Sequence, residues 1–548
     1  MTSRIHHPLL VTSDRMIRVE VNHPAYHEVR KQLVRFAERV KSPSNLHTYR
    51  MTPYTLWNAA VQNLTPGDIL EWLEKMSKLP VPSSVATEVK EWMGRYGMLR
   101  LERVDSSSFQ LISVQPEYIQ KIMDQTAIRE WSIERPGENA LLFPLQARGQ
   151  VKQACTQAGY PVIDQIGFQE GESLSIRLSK HSRTGAFTLR DYQKQAVEAF
   201  GGNGVIVLPC GAGKTVVGIA AMEKVGKATL ILTPNATSAK QWIREILDKT
   251  DLPEEAVGEY TSECKKVRPV TVTTYQMMTR RTDRNGPFHH MKLFSERDWG
   301  LIIYDEVHLL PAPVFRATAA LQAKRRLGLT ATLIREDGKE GEVFSLIGPK
   351  LFEVSWGELE DQGWIAEAVC TEIRVPFSDP ERERYTRSSH RQKYRLAAEN
   401  PNKMKVIDQL IRRHRGEQIL VIGQYLDQLQ QLAERYQAPI ITGQMKQEKR
   451  ESWFERFRNK EISLLIVSKV ANFAVDLPDA AVAIQISGTF GSRQEEAQRL
   501  GRILRPKAGD NRAYFYHVVT KDTLDQEYAM NRQLFLAEQG YSYQIHEM

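Results

Sequence analysis

The chain has 548 residues, 41% hydrophobic and 26% charged, with a formal net charge of +8. This is the composition of an ordinary globular protein, long enough for roughly three to four domains. It excludes a disordered or fibrous chain, and no run of about 18 apolar residues exists to cross a membrane.

Residues 1–52 read as a polar, basic N-terminal lead-in with one helix over 27–40. From Pro53, three short helices are expected over 55–61, 65–77 and 83–96. Thr65-Pro66-Gly67-Asp68 is a helix start with proline at the first position. Segments 99–104 and 109–114 form a hairpin around Asp105-Ser106-Ser107-Ser108, and a helix follows over 116–125. Helices followed by a two-stranded hairpin suggest a winged-helix-like domain over 53–140, a shape that binds DNA or protein. Residues 141–180 alternate strand, helix and strand. They either touch nucleic acid or brace the domain C-terminal to them.

At 187–193 a helix begins with Arg190 and Gln193 in its first turn. A glutamine here presents a donor and an acceptor to an adenine edge. Then comes Gly204-Val205-Ile206-Val207-Leu208, an apolar β-branched run that reads as a buried strand. It leads into Pro209-Cys210-Gly211-Ala212-Gly213-Lys214-Thr215 and a helix over 216–225. Strand, glycine loop, Lys-Thr and helix is the context of a phosphate-binding loop, although Leu208 stands where the usual pattern has its first glycine. The glycines let backbone N–H groups converge on an anion, and the helix N-terminus adds partial positive charge. Lys214 reaches phosphate as a point charge, and the Thr215 hydroxyl can ligate magnesium.

Strands over 228–232, 270–274 and 301–304, with a helix over 238–247, continue the β-α rhythm of a parallel sheet. Each strand ends in a polar cluster, where ligands of such sheets sit. After the third come Asp305 and Glu306. Asp305 is expected to hold magnesium and Glu306 to polarise the attacking water. His308 is a candidate sensor between this site and Leu329-Thr330-Ala331-Thr332, whose hydroxyls can switch hydrogen bonds between two domain arrangements. Arg335-Glu336-Asp337 lies immediately behind that turn.

The second half repeats the rhythm, with strands over 419–422, 463–467 and 482–486 and a helix over 426–436. One strand ends in 468–478, which includes Asp476. The helix 493–505 carries Gln498, Arg499, Arg502 and Arg505, and arginine reads phosphate through planar, bidentate hydrogen bonds. Residues 378–415 hold eleven Lys or Arg against five acids, a net +6, with Tyr385, Arg391, Lys393 and Tyr394 among them. A basic helical insertion with interleaved aromatics suits backbone tracking on DNA; a solvated helix face is the alternative. The four cysteines are widely spaced, as expected of reduced thiols in a cytosolic protein.

In order, LRDYQ, LPCGAGKT, DEVH, LTATLIRED and QRLGRILRP resemble the motifs of superfamily-two helicases, and closely those of the XPB family of DNA repair helicases in a short microbial form. The resemblance covers about residues 53–548. It implies an α/β fold with two RecA-like parallel-sheet domains in tandem, over 181–357 and 358–548, preceded by a small α+β N-terminal region. Residues 141–180 are similar to the family's damage-recognition domain, and 378–415 to its thumb-like element. The implied activity is DNA-dependent ATP hydrolysis with three-prime to five-prime polarity, using ATP and magnesium on forked, bubble or double-stranded DNA. It belongs to nucleotide excision repair in the cytoplasm or on the nucleoid, beside a possible nuclease partner.

Residue by residue, the resemblance assigns Arg190, Gln193 and the loop Cys210, Gly211, Ala212, Gly213, Lys214 and Thr215 to nucleotide. Thr215 and Asp305 go to the metal, and Lys214, Asp305, Glu306, Gln498, Arg502 and Arg505 to catalysis. His308, Thr330, Thr332, Arg335, Glu336, Asp337 and Asp476, with Tyr385, Arg391 and Lys393, go to coupling and DNA. The segment 470–475 lacks the glycine and acid common before Asp-Leu-Pro in related helicases. A DNA-binding scaffold that uses ATP as a switch, or the motor subunit of a nuclease complex, are the alternative functions.

Overall fold

The computed structural model describes residues 7–41, 45–183, 185–209, 211–281, 289–311, 314, 317–318, 324–331, 340–354, 356–468, 480–487, 511–538, 541 and 543–548. Its first unit corrects the reading of the N-terminus. Strands β1 (Leu9–Val11), β2 (Met16–Glu20), β3 (Glu38–Lys41) and β4 (Leu46–Arg50) form an antiparallel sheet in the order β1-β2-β4-β3. The helix expected over 27–40 stops at Leu33, because the chain beyond it pairs with β4. Val29, Leu33, Phe36 and Val40 have helical spacing, but tertiary pairing overrides it: Arg39 lies opposite Tyr49 with its guanidinium 5.5 Å from that ring.

The helices Pro53–Val61, Pro66–Met76 and Ser83–Arg95 pack on this sheet. The second is set by a reciprocal cap in which Thr65 Oγ1 accepts the Asp68 N–H at 3.1 Å and Asp68 Oδ2 accepts the Thr65 N–H at 2.8 Å. Ile69 and Leu73 on one face of it join Leu9, Ile17, Val19, Leu56 and Val85 in one core. The expected boundary at 52/53 therefore falls inside a packed unit.

So does the boundary at 140/141. The hairpin β5 (Leu99–Arg103) and β6 (Ser108–Ser113) continues into β7 (Glu134–Gly137), β8 (Ala140–Pro144) and β9 (Val162–Asp164), in the order β7-β8-β6-β5-β9. Phe109, Leu111, Leu141, Phe143 and Val151 share its core. The hairpin is the interior of this five-stranded sheet rather than the wing of a winged helix. At its edge Asp164 bonds Arg148 at 2.8 Å and Lys152 at 2.9 Å, all three side chains buried.

A short hairpin, β10 (His181–Ser182) and β11 (Gly185–Ala186), precedes the two large sheets. The first contains β12 (Asn203–Val207), β13 (Thr229–Thr233), β14 (Val257–Tyr260), β15 (Val270–Thr274), β16 (Leu301–Asp305), β17 (Arg325–Thr330) and β18 (Lys350–Glu353). Its order is β14-β15-β13-β16-β17-β12-β18, every pair parallel. The second contains β19 (Glu367–Val375), β20 (Ile419–Gly423), β21 (Ile440–Ile441), β22 (Leu464–Ser468), β23 (Val482–Gln485), β24 (Arg512–Thr520) and β25 (Tyr543–Glu547). Its order is β21-β22-β20-β23-β24-β19-β25, again parallel. The chain is thus two RecA-like α/β domains in tandem behind a small α+β region.

The linker helix Trp356–Asp361 ties the domains together: Trp356 meets Tyr541 with ring centroids 4.7 Å apart. The N-terminal unit docks beside it, with Asn58 Oδ1 accepting the Lys350 N–H at 2.8 Å and Arg30 lying on Gly357, where any Cβ would collide with the guanidinium. Residues 378–415 are three helices, Asp379–Arg387, His390–Ala398 and Lys403–Arg413. The last is not part of an insertion: Val406, Ile407 and Leu410 are in the second domain's core, and Lys403 is fully buried on Asp525 Oδ2 at 2.7 Å.

Candidate nucleotide site

Sheet order puts the three expected clusters side by side. β17 lies between β12 and β16, so the glycine loop after β12, Thr330 ending β17 and the acid pair at the end of β16 converge at the carboxyl ends of three adjacent strands. The loop is shaped for an anion. Gly211 and Gly213 take φ of 81° and 82°, and Gly213 caps the helix Lys214–Val225. A Cβ on Gly213 would come within 2.6 Å of Gln193 Nε2. Thr215 sits half-buried in the first turn of that helix.

Lys214 Nζ lies 3.3 Å from Glu306 Oε1. Glu306 adopts φ 50°, a left-handed conformation rare for a residue with a Cβ. Strain of this kind collects at functional sites, where the surroundings hold it in place. Burial resists charge on both acids. For Asp305 burial dominates, the Glu306 charge adds to it, and its carboxyl is pushed up to about 7. For Glu306 the nearby Lys214 and His308 outweigh burial and hold it below the ordinary carboxylate range. The pair therefore has one carboxylate more than its neighbouring cation balances, a donor set that fits a divalent metal ion.

His308 Nδ1 lies 2.7 Å from Thr330 Oγ1 and 3.5 Å from Glu306 Oε2, so it bridges the acid and the end of β17. Gln193 is buried, and both ends of its amide bond internally: Oε1 accepts the Arg190 N–H at 3.0 Å and Nε2 donates to Ala212 O at 3.1 Å. It braces the loop from beneath the helix start.

Four residues around the site were not anticipated. Trp242 Nε1 donates to Asp305 Oδ2 at 3.0 Å, and Tyr275 OH donates to Asp305 O at 2.7 Å. Tyr192 OH donates to Ala212 O at 2.7 Å, and Trp364 faces Arg190. Trp242 occupies an apolar position of the helix after β13, so the sequence marks it only as core, while Tyr275 lies in the polar cluster that ends β15 with no role of its own. Gly218 is the trace Trp242 leaves, because a Cβ there would collide with its ring.

Of the expected DNA-side residues, Tyr385 OH accepts the Leu524 N–H at 2.9 Å, and Lys393 Nζ sits 5.4 Å from the Tyr385 ring centroid. Tyr394 is buried and unavailable to a ligand. Arg382 and Arg395 have acidic partners in Asp522 and Glu399, which trims the basic patch. Cys210, Thr332, Arg335, Glu336, Asp337, Asp476, Gln498, Arg499, Arg502 and Arg505, and the Arg391 side chain, lie outside the described residues.

Three family models match the chain. They are an ERCC3/RAD25/XPB C-terminal helicase over residues 359–548, a helicase conserved C-terminal domain over 9–136, and a type III restriction enzyme res subunit over 186–335. A protein of Mycobacterium tuberculosis named DNA 3'-5' helicase XPB is 48% identical over 98% of both chains. Its namesake in Kineococcus radiotolerans is 48% identical over 98% of this chain and 96% of its own. The XPB/SSL2 helicase/translocase subunit of general transcription and DNA repair factor IIH in Saccharomyces cerevisiae is 32% identical, covering 98% of this chain and 72% of its own. With identity of this level carried across nearly the whole length, the chain belongs to the XPB family of helicases.

Proposed function

We propose that this chain is an ATP-driven DNA helicase or translocase with 3'-to-5' polarity that opens duplex during repair in the cytoplasm. The observation that carries the reading is the convergence of the glycine loop, the Asp305–Glu306 pair and Thr330 on adjacent strands, with Lys214 on Glu306. The loop N–H groups and Lys214 hold the nucleotide's phosphates, with Thr215 and Asp305 as magnesium ligands. When bound, magnesium neutralises phosphate charge and orients the terminal phosphoryl group. Glu306 gives up its contact with Lys214 and takes a proton from the attacking water at Oε1 or Oε2. His308 transmits that change to Thr330. Gln498, Arg502 and Arg505 complete the phosphate contacts from the second domain, and Arg335, Glu336, Asp337 and Asp476 couple closure to DNA. Strand cutting, where repair needs it, belongs to a nuclease partner.

The test is steady-state ATP hydrolysis with and without forked DNA across a salt series, beside Glu306→Gln. DNA stimulation that fades with salt and vanishes in the variant supports the motor, because phosphate contacts release counterions. Tight DNA binding without turnover in the wild type would establish the scaffold instead.

A further inference from the structure

The linker between the two RecA-like domains delivers an aromatic ring to the nucleotide side of the first. After the helix Trp356–Asp361, Gly363 takes φ 71° and donates its N–H to Glu360 O at 2.8 Å, while Trp364 donates its N–H to Leu359 O at 2.8 Å. This is a left-handed glycine cap, and it fixes where the next side chain points. Leu359, Ile365 and Ala366 are wholly buried around it, so the backbone of Trp364 is anchored in the core. The indole is 39% exposed, yet the Arg190 guanidinium carbon lies 4.4 Å from its ring centroid. Arg190 is in turn tied to the phosphate loop. Its Nη1 donates to Tyr192 OH at 3.1 Å, and that hydroxyl donates to Ala212 O at 2.7 Å.

We propose that Trp364 is a positioning residue for base recognition, pinning one face of the Arg190 guanidinium so that the other face receives the adenine ring. The proposal rests on the nucleotide-site reading above. A guanidinium is planar, stacks on aromatic rings through either face, and keeps its in-plane N–H groups for hydrogen bonds, here to Tyr192. Because Trp364 belongs to the segment that leads into β19, seating of the linker and affinity for the base are coupled, and the coupling is reciprocal. Trp364 reaches the phosphate loop through Arg190 and Tyr192, and the Tyr192 bond to Ala212 O does not need the ring, so base and phosphate recognition separate experimentally.

The experiment measures dissociation constants for ADP and for magnesium pyrophosphate in the full chain, as wild type, Trp364→Ala and Trp364→Phe. Loss of the ring weakens ADP about tenfold, from the strength of a partly exposed cation–π contact. Pyrophosphate affinity stays at the wild-type value, and Trp364→Phe recovers most of the ADP affinity. Unchanged ADP affinity in Trp364→Ala, or an equal loss for ADP and pyrophosphate, overturns the role of Trp364 alone. A wild-type chain that binds neither ligand overturns the nucleotide site, and this proposal with it.

Discussion

Two clusters of buried charge in this molecule are built with opposite balance. In the five-stranded sheet one carboxylate, Asp164, lies between Arg148 and Lys152, so cations outnumber the anion. At the carboxyl end of β16 in the first parallel sheet two carboxylates, Asp305 and Glu306, share one lysine, Lys214, with His308 3.5 Å from Glu306. Asp164 responds as a satisfied structural ion. Burial works against it, but Lys152 and Arg148 hold its carboxyl well below the usual range. Lys152 shares that single anion with Arg148, and burial lowers it to about 8. Asp305, by contrast, is pushed up to about 7. Excess cation buried beside an acid locks a fold. Excess acid buried beside a glycine loop leaves a place for charge from outside the chain.

The largest effects that break the comparison are at Lys214 and Glu306. Lys214→Ala and Glu306→Gln should each lower ATP turnover by about a thousandfold or more, equivalent to about 4 kcal/mol of barrier. The melting temperature of Glu306→Gln should stay level or rise, because one of two adjacent buried charges is gone. A fall in melting temperature would make the acid pair structural. Asp164→Asn should do the reverse. It strands Arg148 and Lys152 without a counter-charge and should cost about 3 kcal/mol in urea titration. Stability equal to wild type would remove Asp164 from the structural side.

A third buried site, around His47, adds a pH dependence of its own. His47 is buried beneath Tyr26, whose hydroxyl lies 2.6 Å from Nδ1. Burial first, then the charges of Arg39 and Arg30, drive its pKa down to about 2. In the unfolded chain it takes a proton near 6.5. A depressed base is fully stabilising above the unfolded value, so the His47 contribution to stability should decline below about pH 6.5, by roughly 1.4 kcal/mol per unit. Between pH 6.5 and 5.5 the wild type should lose about 1 kcal/mol of stability relative to His47→Gln, read as the difference between their melting curves. Parallel slopes would place the acid sensitivity elsewhere.

Legibility in the sequence followed the length scale of each signal. Strands β12, β13, β15 and β16 are β-branched runs buried on both faces, and the glycine loop and polar clusters follow their ends directly, so pattern and motif agreed. The N-terminal 52 residues failed because Val29, Leu33, Phe36 and Val40 keep helical spacing while the segment after Leu33 pairs with β4, a partner the local pattern does not reveal. The hairpin Leu99–Ser113 was recognised, but its neighbours β8 and β9 come from chain 27 or more residues away. Lys403 looked like one more charge on a basic face, and only the fold brings Asp525 to it. Gln193 was marked as a site residue from its place before the loop, but its partners, Arg190 N and Ala212 O, needed coordinates.

The smallest expected effect concerns how the acid pair is held. Trp242 and Asp305 are far apart in sequence, and the indole N–H donates to Asp305 Oδ2 at 3.0 Å in a buried setting. A hydrogen bond to a charged, buried acceptor contributes about 1.5 kcal/mol, whereas the same ring as packing alone contributes through its area. Trp242→Phe removes the donor and some of the ring, so its single-mutant cost mixes the two. Asp305→Ala removes the acceptor. In a double-mutant cycle read by urea titration, the part of the Trp242→Phe cost that disappears in the Asp305→Ala background is the hydrogen bond. A coupling of about 1–2 kcal/mol would make Trp242 an orienting contact for the carboxylate. Additive costs would leave it a core tryptophan, filling the space that Gly218 opens, and the orientation of Asp305 would then rest on the backbone that Tyr275 holds.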